Sequence, residues 1–441
     1  MLYRAVPAAA PPDNGRPAAE ARPMTHDSAA PATAPAGAEE TDAYWRRNLA
    51  VCVFGSFTTL VAMTLLLPFL PLYVEELGVT GQAAIVQWSG VAFGATFFSA
   101  ALVAPLWGRF ADLYGRKLIL LRASLAMAIV MSLIGMAQDV YQLVGLRLLA
   151  GLLGGYSSGA TVLIATQTPK ARSGWALGIL ASGVMAGNLV GPLAGGVLPP
   201  IIGIRATFLA AGGVIFVAFL ATLLLIREER RPTRAERRAN PGWAAIPDKR
   251  PVLALLATGT LLMLAVMSIE PIITVYVAEL VADPARVTMV AGLAMSATAL
   301  GSILAAPRLG RLADRIGPWR VIAGGLAASA LLLVPQALVT EGWQLVVLRF
   351  LMGLSLGGLL PCLASALRHS VPDRVAGTVL GYSTSAQYAG QVIGPLLGGF
   401  AGGHLGMRSV FLATAILMAL GAAGTVLARP RAETRLGEST P

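Results

Sequence analysis

GRFADLYGRKLIL (108–120) and GRLADRIGPWR (310–320) are the stretches on which the fold turns. Each follows an apolar run and carries Gly-Arg-x-Ala-Asp-x-x-Gly, and they stand 202 residues apart. Working outward, the offset persists. Pro68, Tyr73, Glu76 and Leu77 match Pro271, Tyr276, Glu279 and Leu280 at 203. Arg147 and Gly151 match Arg349 and Gly353 at 202; Gly187, Gly191, Pro192 and Gly195 match Gly390, Gly394, Pro395 and Gly398 at 203. A chain of 441 residues that repeats itself at half its length is two homologous halves in parallel orientation. In such a repeat the functional cavity is expected between the halves, near the bilayer midplane.

Composition sets the class. Hydrophobic residues make up 56% of the chain and charged residues 12%, about half the charged share of a soluble domain. So few charges do not cover a water-facing surface. The apolar segments run for about 20 residues, which excludes alternating β-barrel strands and points to helices. The expected fold is an all-α polytopic membrane protein with twelve transmembrane helices in two pseudo-symmetric six-helix bundles. The spans read as 48–74, 85–107, 117–136, 140–166, 174–198, 204–226, 251–277, 287–307, 320–338, 343–367, 376–399 and 406–428. The corresponding regions are an Ala/Pro-rich disordered tail (1–43), a first bundle (44–226), a basic linker (227–250), a second bundle (251–430) and a tail (431–441).

The net charge of +11 suggests nucleic acid until the charges are placed. Connections and the C-terminal end on one side hold Arg46, Arg47, Arg109, Arg116, Lys117, Lys170, Arg172, the linker, Arg308, Arg311, Arg315, Arg320, Arg368, Arg374, Arg429, Arg431 and Arg435. The other side holds only Arg205, Arg286 and Arg408. The positive-inside rule then makes both termini cytoplasmic and leaves no nucleic-acid partner. The linker, with eight basic and four acidic residues and three prolines, reads as a positive-inside connection. Cys52 and Cys362 lie inside apolar runs and are read as small core residues; no metal site and no cofactor are expected. The preference for Arg over Lys, with the Ala and Gly load, suits a GC-rich bacterium, hence a bacterial cytoplasmic (inner) membrane.

These motifs carry a family resemblance. GRFADLYGRKLIL (108–120) resembles the signature loop after the second span of the major facilitator superfamily, and GRLADRIGPWR (310–320) its second-half echo. LVGLRLLAG (143–151) resembles the fourth-span signature, and GNLVGPLAGG (187–196) the fifth-span motif of antiporters. The likeness covers residues 44–430 and is greatest to the twelve-span drug:proton antiporter branch. It implies the major facilitator fold, export by alternating access, a small-molecule substrate with protons as its counter-ion, and a monomer. It also implies that Gly108, Asp112, Gly115, Arg116 and Lys117, with Gly310 and Asp314, form a latch that releases during gating. In the second copy Pro318-Trp319 replaces Arg116-Lys117. The physical reading of the same loop is plainer. Its glycines permit a tight turn, and Asp112 is placed to accept from amides at a helix start.

Gly187, Gly191 and Gly195 share one helix stripe, as do Gly390, Gly394 and Gly398, and small residues four apart let helices approach closely. Pro192 and Pro395 add kinks. Asn188 and Gln391 stand beside these stripes, facing either a cavity or a neighbouring helix. Arg147 and Arg349 fall inside spans, where an arginine costs on the order of 2.5–3.5 kcal/mol without a partner or water. The resemblance puts Arg147 near the proton path; Arg122 is read as snorkelling to the interface.

Glu270 is the sharpest single feature, an acid within a span whose repeat counterpart is Leu67. Pro271 follows it and disfavours regular helix there. It is read either as a proton-coupling carboxylate or as a solvated residue at the end of span seven. The candidate cavity residues are Arg147, Asn188, Glu270, Gln387, Tyr388 and Gln391, on spans 1, 4, 7 and 10 with contributions from 2, 5, 8 and 11. The expected function is proton-coupled efflux of small amphipathic compounds. A transporter for one metabolite, such as a sugar or organic acid, and a non-transporting sensor are the alternatives. The G-x-S-x-G matches at Gly155–Gly159 and Gly353–Gly357 sit in spans without a His and acid nearby, so no enzyme is expected.

Overall fold

The computed structural model describes residues 36–228, 246 and 249–428. Of the tail expected at 1–43, residues 1–35 lie outside the described residues, and 36–43 are helical, as the opening of α1, where disorder was expected; the tail at 431–441 and most of the linker also lie outside the described residues. The chain divides into Met1–Asp42 and Ala43–Pro441, and apart from the opening of α1 the description below concerns the second.

Eight of the twelve expected spans are single helices and four are broken. Span 1 is α1 (Ala36–Leu65), a 3-10 turn at Leu67–Phe69, and α2 (Leu70–Glu76). Span 4 is α5 (Val140–Leu153) and α6 (Tyr156–Gln167), parted at Gly154-Gly155. Span 7 is α9 (Lys249–Ile269) and α10 (Ile273–Leu280), parted at Glu270–Ile272; span 10 is α13 (Gly342–Leu356) and α14 (Leu359–His369). The unbroken spans are α3 (Gln82–Tyr114), α4 (Arg116–Ile134), α7 (Ser173–Ile202), α8 (Ile204–Leu225), α11 (Val287–Ile316), α12 (Pro318–Gln336), α15 (Asp373–Leu405) and α16 (Met407–Ala428). The broken ones occupy equivalent places in both halves, where freed carbonyls and amides can face a cavity.

Eleven helical segments among the described residues are long and apolar enough to cross a membrane. The remaining span, α15, has 33 residues but is too polar to be among them, because Thr384, Gln387, Tyr388 and Gln391 interrupt it. Spans 3 and 6 pack as a pair, α4 on α8, and spans 9 and 12 repeat the arrangement as α12 on α16. Their outward faces expose Leu224, Leu331 and Leu427, which suits acyl chains.

Between the halves, α3 packs on α15 and α7 on α11. Glycines set the approach. A Cβ on Gly90 would strike the Pro395 carbonyl, and one on Gly292 the Pro192 carbonyl. Within each half the expected stripes do the same. Gly195 sits against the Leu65 carbonyl of span 1, and Gly398 against the Ser268 carbonyl of span 7. Packing therefore accounts for the glycines of both motifs. Hydrogen bonds across the halves among the described residues include Thr288 Oγ1 to the Gly196 carbonyl (3.1 Å), Ser296 Oγ to the Leu189 carbonyl (2.7 Å), Thr274 Oγ1 to the Leu67 carbonyl (3.4 Å) and Gln82 Nε2 to Glu279 Oε1 (3.3 Å). They lie from mid-span to the side opposite the start of α1 and the end of α16. The side that holds those two ends is called the terminal side below.

Candidate functional site

Between the halves lies a cavity of about 970 Å³. Spans 1, 2, 3, 4, 5, 7, 8 and 11 line it, and it extends from Leu67 and Glu270 to Trp107 and Arg116 near the terminal side. Asn188, Glu270, Gln387, Tyr388 and Gln391 all line it. The three α15 residues come into register because 387, 388 and 391 are neighbours on one helical face.

Two expectations about the walls change. Span 10 was expected to line the cavity and does not; span 3 does so instead, through Arg116, Ile119, Arg122 and Met127. Arg147 was expected in the cavity and stands behind its wall. It is fully buried, its Nε donates to the Ala92 carbonyl at 3.3 Å, and its guanidinium carbon lies 5.7 Å from the centre of the Phe93 ring, which is itself in the wall. Its two Nη atoms are buried without a hydrogen-bond partner among the described residues.

Glu270 sits in the break of span 7, where Pro271 prevents regular helix and Ile272 N–H closes a turn on the Ile269 carbonyl at 3.1 Å. Its Oε1 accepts from Arg349 Nη2 at 3.4 Å, with side-chain exposures of 13% for the acid and 1% for the arginine. The solvated-surface reading of Glu270 therefore does not describe its setting. A carboxylate in contact with both an arginine and a cavity has two ways to settle its charge, by keeping the pair or by taking a proton.

Arg122 does not snorkel. Its guanidinium lies 3.3 Å from the centre of the Trp107 ring, and Nη2 donates to the Gly154 carbonyl at 2.9 Å, in the break of span 4. Nothing in the periodicity distinguished this arginine, because helix rotation decides whether it faces lipid or the cavity. Met63, Met263, Met267 and Met295 also line the cavity and went unremarked in the sequence. Flexible thioethers at such a surface adapt to ligands of different shape.

The signature loop lies at the turn from α3 into α4. Gly108 and Asp112 fall within α3, and their side chains lie outside the described residues. Gly115 adopts φ +94°, which an L side chain rarely takes, and so makes the turn into α4. The amides opening α4 are accepted by Glu228, just beyond α8: Arg116 N–H to Oε1 at 2.8 Å and Lys117 N–H to Oε2 at 2.9 Å. Arg116 is buried, and Nη1 donates to the Val162 carbonyl at 3.1 Å and to Thr166 Oγ1; Lys117 Nζ donates to the Leu223 carbonyl at 2.9 Å. These bonds all stay within the first half and its outgoing segment. In the second copy Gly310 has open space beside it and Asp314 is exposed near the end of α11.

Relatives agree with this architecture. A chain named "Multidrug resistance protein MdtG" from Enterobacter lignolyticus is 43% identical over 88% of this chain and 93% of its own length. Those of Serratia proteamaculans and Salmonella typhimurium are each 44% identical, over 90% and 84% of this chain and 97% and 92% of their own. Among solved structures, a bacterial homologue of the human lysosomal transporter Spinster, in its inward-facing and unoccupied conformation, superposes with a TM-score of 0.71 at 15% identity, covering 87% of this chain and 97% of that one. The nucleoside transporter NupG superposes with a TM-score of 0.68 at 14% identity, covering 87% and 98%. The description "Major Facilitator Superfamily" matches residues 52–289 and again 285–441. That double match repeats the internal duplication seen in the motifs, in the paired breaks and in the glycine stripes. The chain is a multi-pass membrane protein that belongs to the major facilitator superfamily, a family of small-molecule transporters.

Proposed function

We propose that this chain exports small amphipathic compounds across a bacterial inner membrane in exchange for protons, by alternating access, as a monomer with both termini in the cytoplasm. The observation that carries the reading is Glu270, a carboxylate at a cavity wall, held by the buried Arg349. A proton arriving on Glu270 neutralises the carboxylate, breaks the ion pair and leaves the guanidinium's positive charge uncompensated. An outgoing substrate and an incoming proton can then use the same place in turn. The chemistry is binding and release; no bond of the substrate changes, so the chain is a carrier and not an enzyme. One charge moved through ~150 mV is worth about 3.5 kcal/mol, which supports a gradient of roughly 300-fold per proton.

The excess of basic residues on the terminal side supports its assignment to the cytoplasm. With the cross-half bonds towards the other side, the cavity is read as inward-facing. In the outward-facing state the loop of Gly108, Asp112, Gly115, Arg116 and Lys117 and its echo at Gly310 and Asp314 close the cytoplasmic end. The methionine-lined wall favours a broad set of apolar compounds over a single metabolite, because a defined metabolite is selected by fixed polar contacts. The relatives named for multidrug resistance point the same way.

Everted vesicles given several unrelated fluorescent amphiphiles in the outside medium test the reading. Uncoupler-sensitive uptake of more than one compound is expected, and its loss in Glu270→Gln at unchanged membrane abundance. Undiminished uptake in that variant sinks Glu270 as the coupling site; transport of a single metabolite replaces drug export by the second reading.

A further inference from the structure

Each half holds its buried arginine against the same frame. A Cβ on Gly151 would strike the Thr96 carbonyl, and one on Gly353 the Thr298 carbonyl. So α5 lies on α3 as α13 lies on α11, residue for residue at the offset of 202. In that frame Ala294 corresponds to Ala92, Thr298 to Thr96 and Arg349 to Arg147. The Ala294 carbonyl therefore stands to the backbone of Arg349 as the Ala92 carbonyl stands to that of Arg147.

The side chains use the frame differently. In the first half Arg147 Nε donates to the Ala92 carbonyl at 3.3 Å, and Thr96 Oγ1 donates to the Arg147 carbonyl at 3.0 Å. In the second half Thr298 Oγ1 donates to the Ala294 carbonyl at 3.2 Å. Arg349 turns Nη2 to Glu270 instead, and its Nε is buried with no hydrogen-bond partner among the described residues. A threonine in a helix populates two side-chain settings, one of them on a carbonyl of the preceding turn. The halves thus display two settings of one Thr–Arg pair, and the acid at 270, against leucine at 67, is the charged difference between them.

We propose that Arg349 is a two-position switch. A proton on Glu270 moves the guanidinium from the carboxylate to the Ala294 carbonyl, and Thr298 yields that carbonyl by turning to the carbonyl of Arg349, as Thr96 already does with Arg147. The proposal rests on Glu270 as the coupling acid. The proton comes from water in the cavity and stays on a carboxyl oxygen, which ends the attraction; the arginine, still charged and buried, needs another acceptor. Arg349 is the charged group that acts on Glu270. Tyr388 of α15 lines the same cavity, and Arg116 and Arg122 line its other end. On the further elements packed against span 7, Tyr276 donates to the Gln336 carbonyl, Arg408 of α16 acts on Tyr276, Cys362 of α14 stands near Asp314, and Arg368 and His369 close α14. With the acid charged, Arg349 ties span 10 to span 7; with the acid neutral, it ties span 10 to span 8. Ala294 lies between Thr288 and Ser296, whose hydroxyls reach α7 across the halves. Protonation is thereby passed to a helix that joins the two bundles.

Structures of the full-length chain in lipid nanodiscs test it. They compare the native protein with Glu270→Gln, which stands for the protonated acid, and with Glu270→Leu, which installs the residue of the first half. In both variants Arg349 Nε should move to about 2.7–3.2 Å from the Ala294 carbonyl oxygen, and Thr298 Oγ1 should leave that oxygen for the carbonyl of Arg349. All these groups belong to the second half, so the distances are readable whichever way the cavity faces. Arg349 held on the side-chain amide of Glu270→Gln overturns the switch, as does an Arg349 in Glu270→Leu that leaves the Ala294 carbonyl to Thr298. Uncoupler-sensitive uptake by the same variants separates this failure from that of Glu270 as the coupling acid. Uptake lost with Arg349 unmoved overturns the switch and keeps the acid; uptake retained with Arg349 on the Ala294 carbonyl supports the switch and removes the acid from coupling.

Discussion

Corresponding arginines of the two halves have met the same burden in different ways. Arg349 in α13 answers its burial with Glu270, while Arg147 in α5, in the half that has Leu67 in place of that acid, donates to the Ala92 carbonyl and lies beside the Phe93 ring. Other pairs differ less. Tyr73 donates to the Ile134 carbonyl at 2.5 Å and Tyr276 to the Gln336 carbonyl at 2.9 Å, the same bond twice. Duplication preserved the scaffold, and the departures from symmetry fall on charged groups. The second half has an ion pair at the cavity wall; the first has an arginine whose two Nη atoms have no hydrogen-bond partner among the described residues.

That contrast can be broken from the second half. Arg349→Ala leaves Glu270 without its partner and should cost about 2–4 kcal/mol, somewhat less than a fully enclosed pair because the acid meets the cavity. Thermal unfolding in detergent measures it, and the double variant with Glu270→Gln should recover much of the loss. A full loss in the double variant means that the arginine is held by packing and not by charge.

The first half offers the opposite experiment. Leu67→Glu sets a carboxylate where the repeat places Glu270, and should pair with Arg147. A double-mutant cycle with Arg147→Gln is expected to give a coupling of about 1–3 kcal/mol. A coupling near zero means that the halves have diverged in backbone as well as in side chain.

The glycine stripes test what remained equal. Gly195→Ala and Gly398→Ala each force a methyl group onto a carbonyl of the neighbouring span. Each should cost about 1–3 kcal/mol by overpacking, and by similar amounts. Unequal melting shifts show which half packs more tightly around its stripe.

The smallest expected effect concerns two helix starts. At α12 the first residue is Pro318, which has no amide to satisfy; at α4 the corresponding amide is Arg116's, and Glu228 accepts it. Glu228→Ala should cost about 1 kcal/mol, in the range of a lost cap. Hydrogen exchange at the start of α4, with α12 as the internal reference, reads it out.

How much of this was legible in the sequence follows from what a linear pattern can carry. The twelve apolar runs and the offset of 202–203 announce the doubled bundle, because length and hydropathy act without reference to neighbours. Glu270 stood out for the same reason: its counterpart Leu67 is a different kind of residue. Rotation is another matter. Arg147 and Arg122 lie one span apart as similar intramembrane cations, yet the first lies behind the wall and the second in it, a difference of helix facing that twelve apolar faces in contact leave unmarked. Glu228 was hidden by its surroundings, since one acid in a segment of many charges has no signature until the start of α4 is brought beside it.

The polarity of α15 bears on how the protein is made. Among the twelve spans it is the one whose own composition least favours leaving the translocation channel for lipid, because its amides and hydroxyls are destined for a cavity wall. Its glycine stripe already fits α9, and its other neighbour α3 emerges from the ribosome long before it. Biogenesis therefore has an order: α3 and α9 must wait in the bilayer as a receptive surface, and α15, which begins only at residue 373 of 441, completes the wall that they leave open.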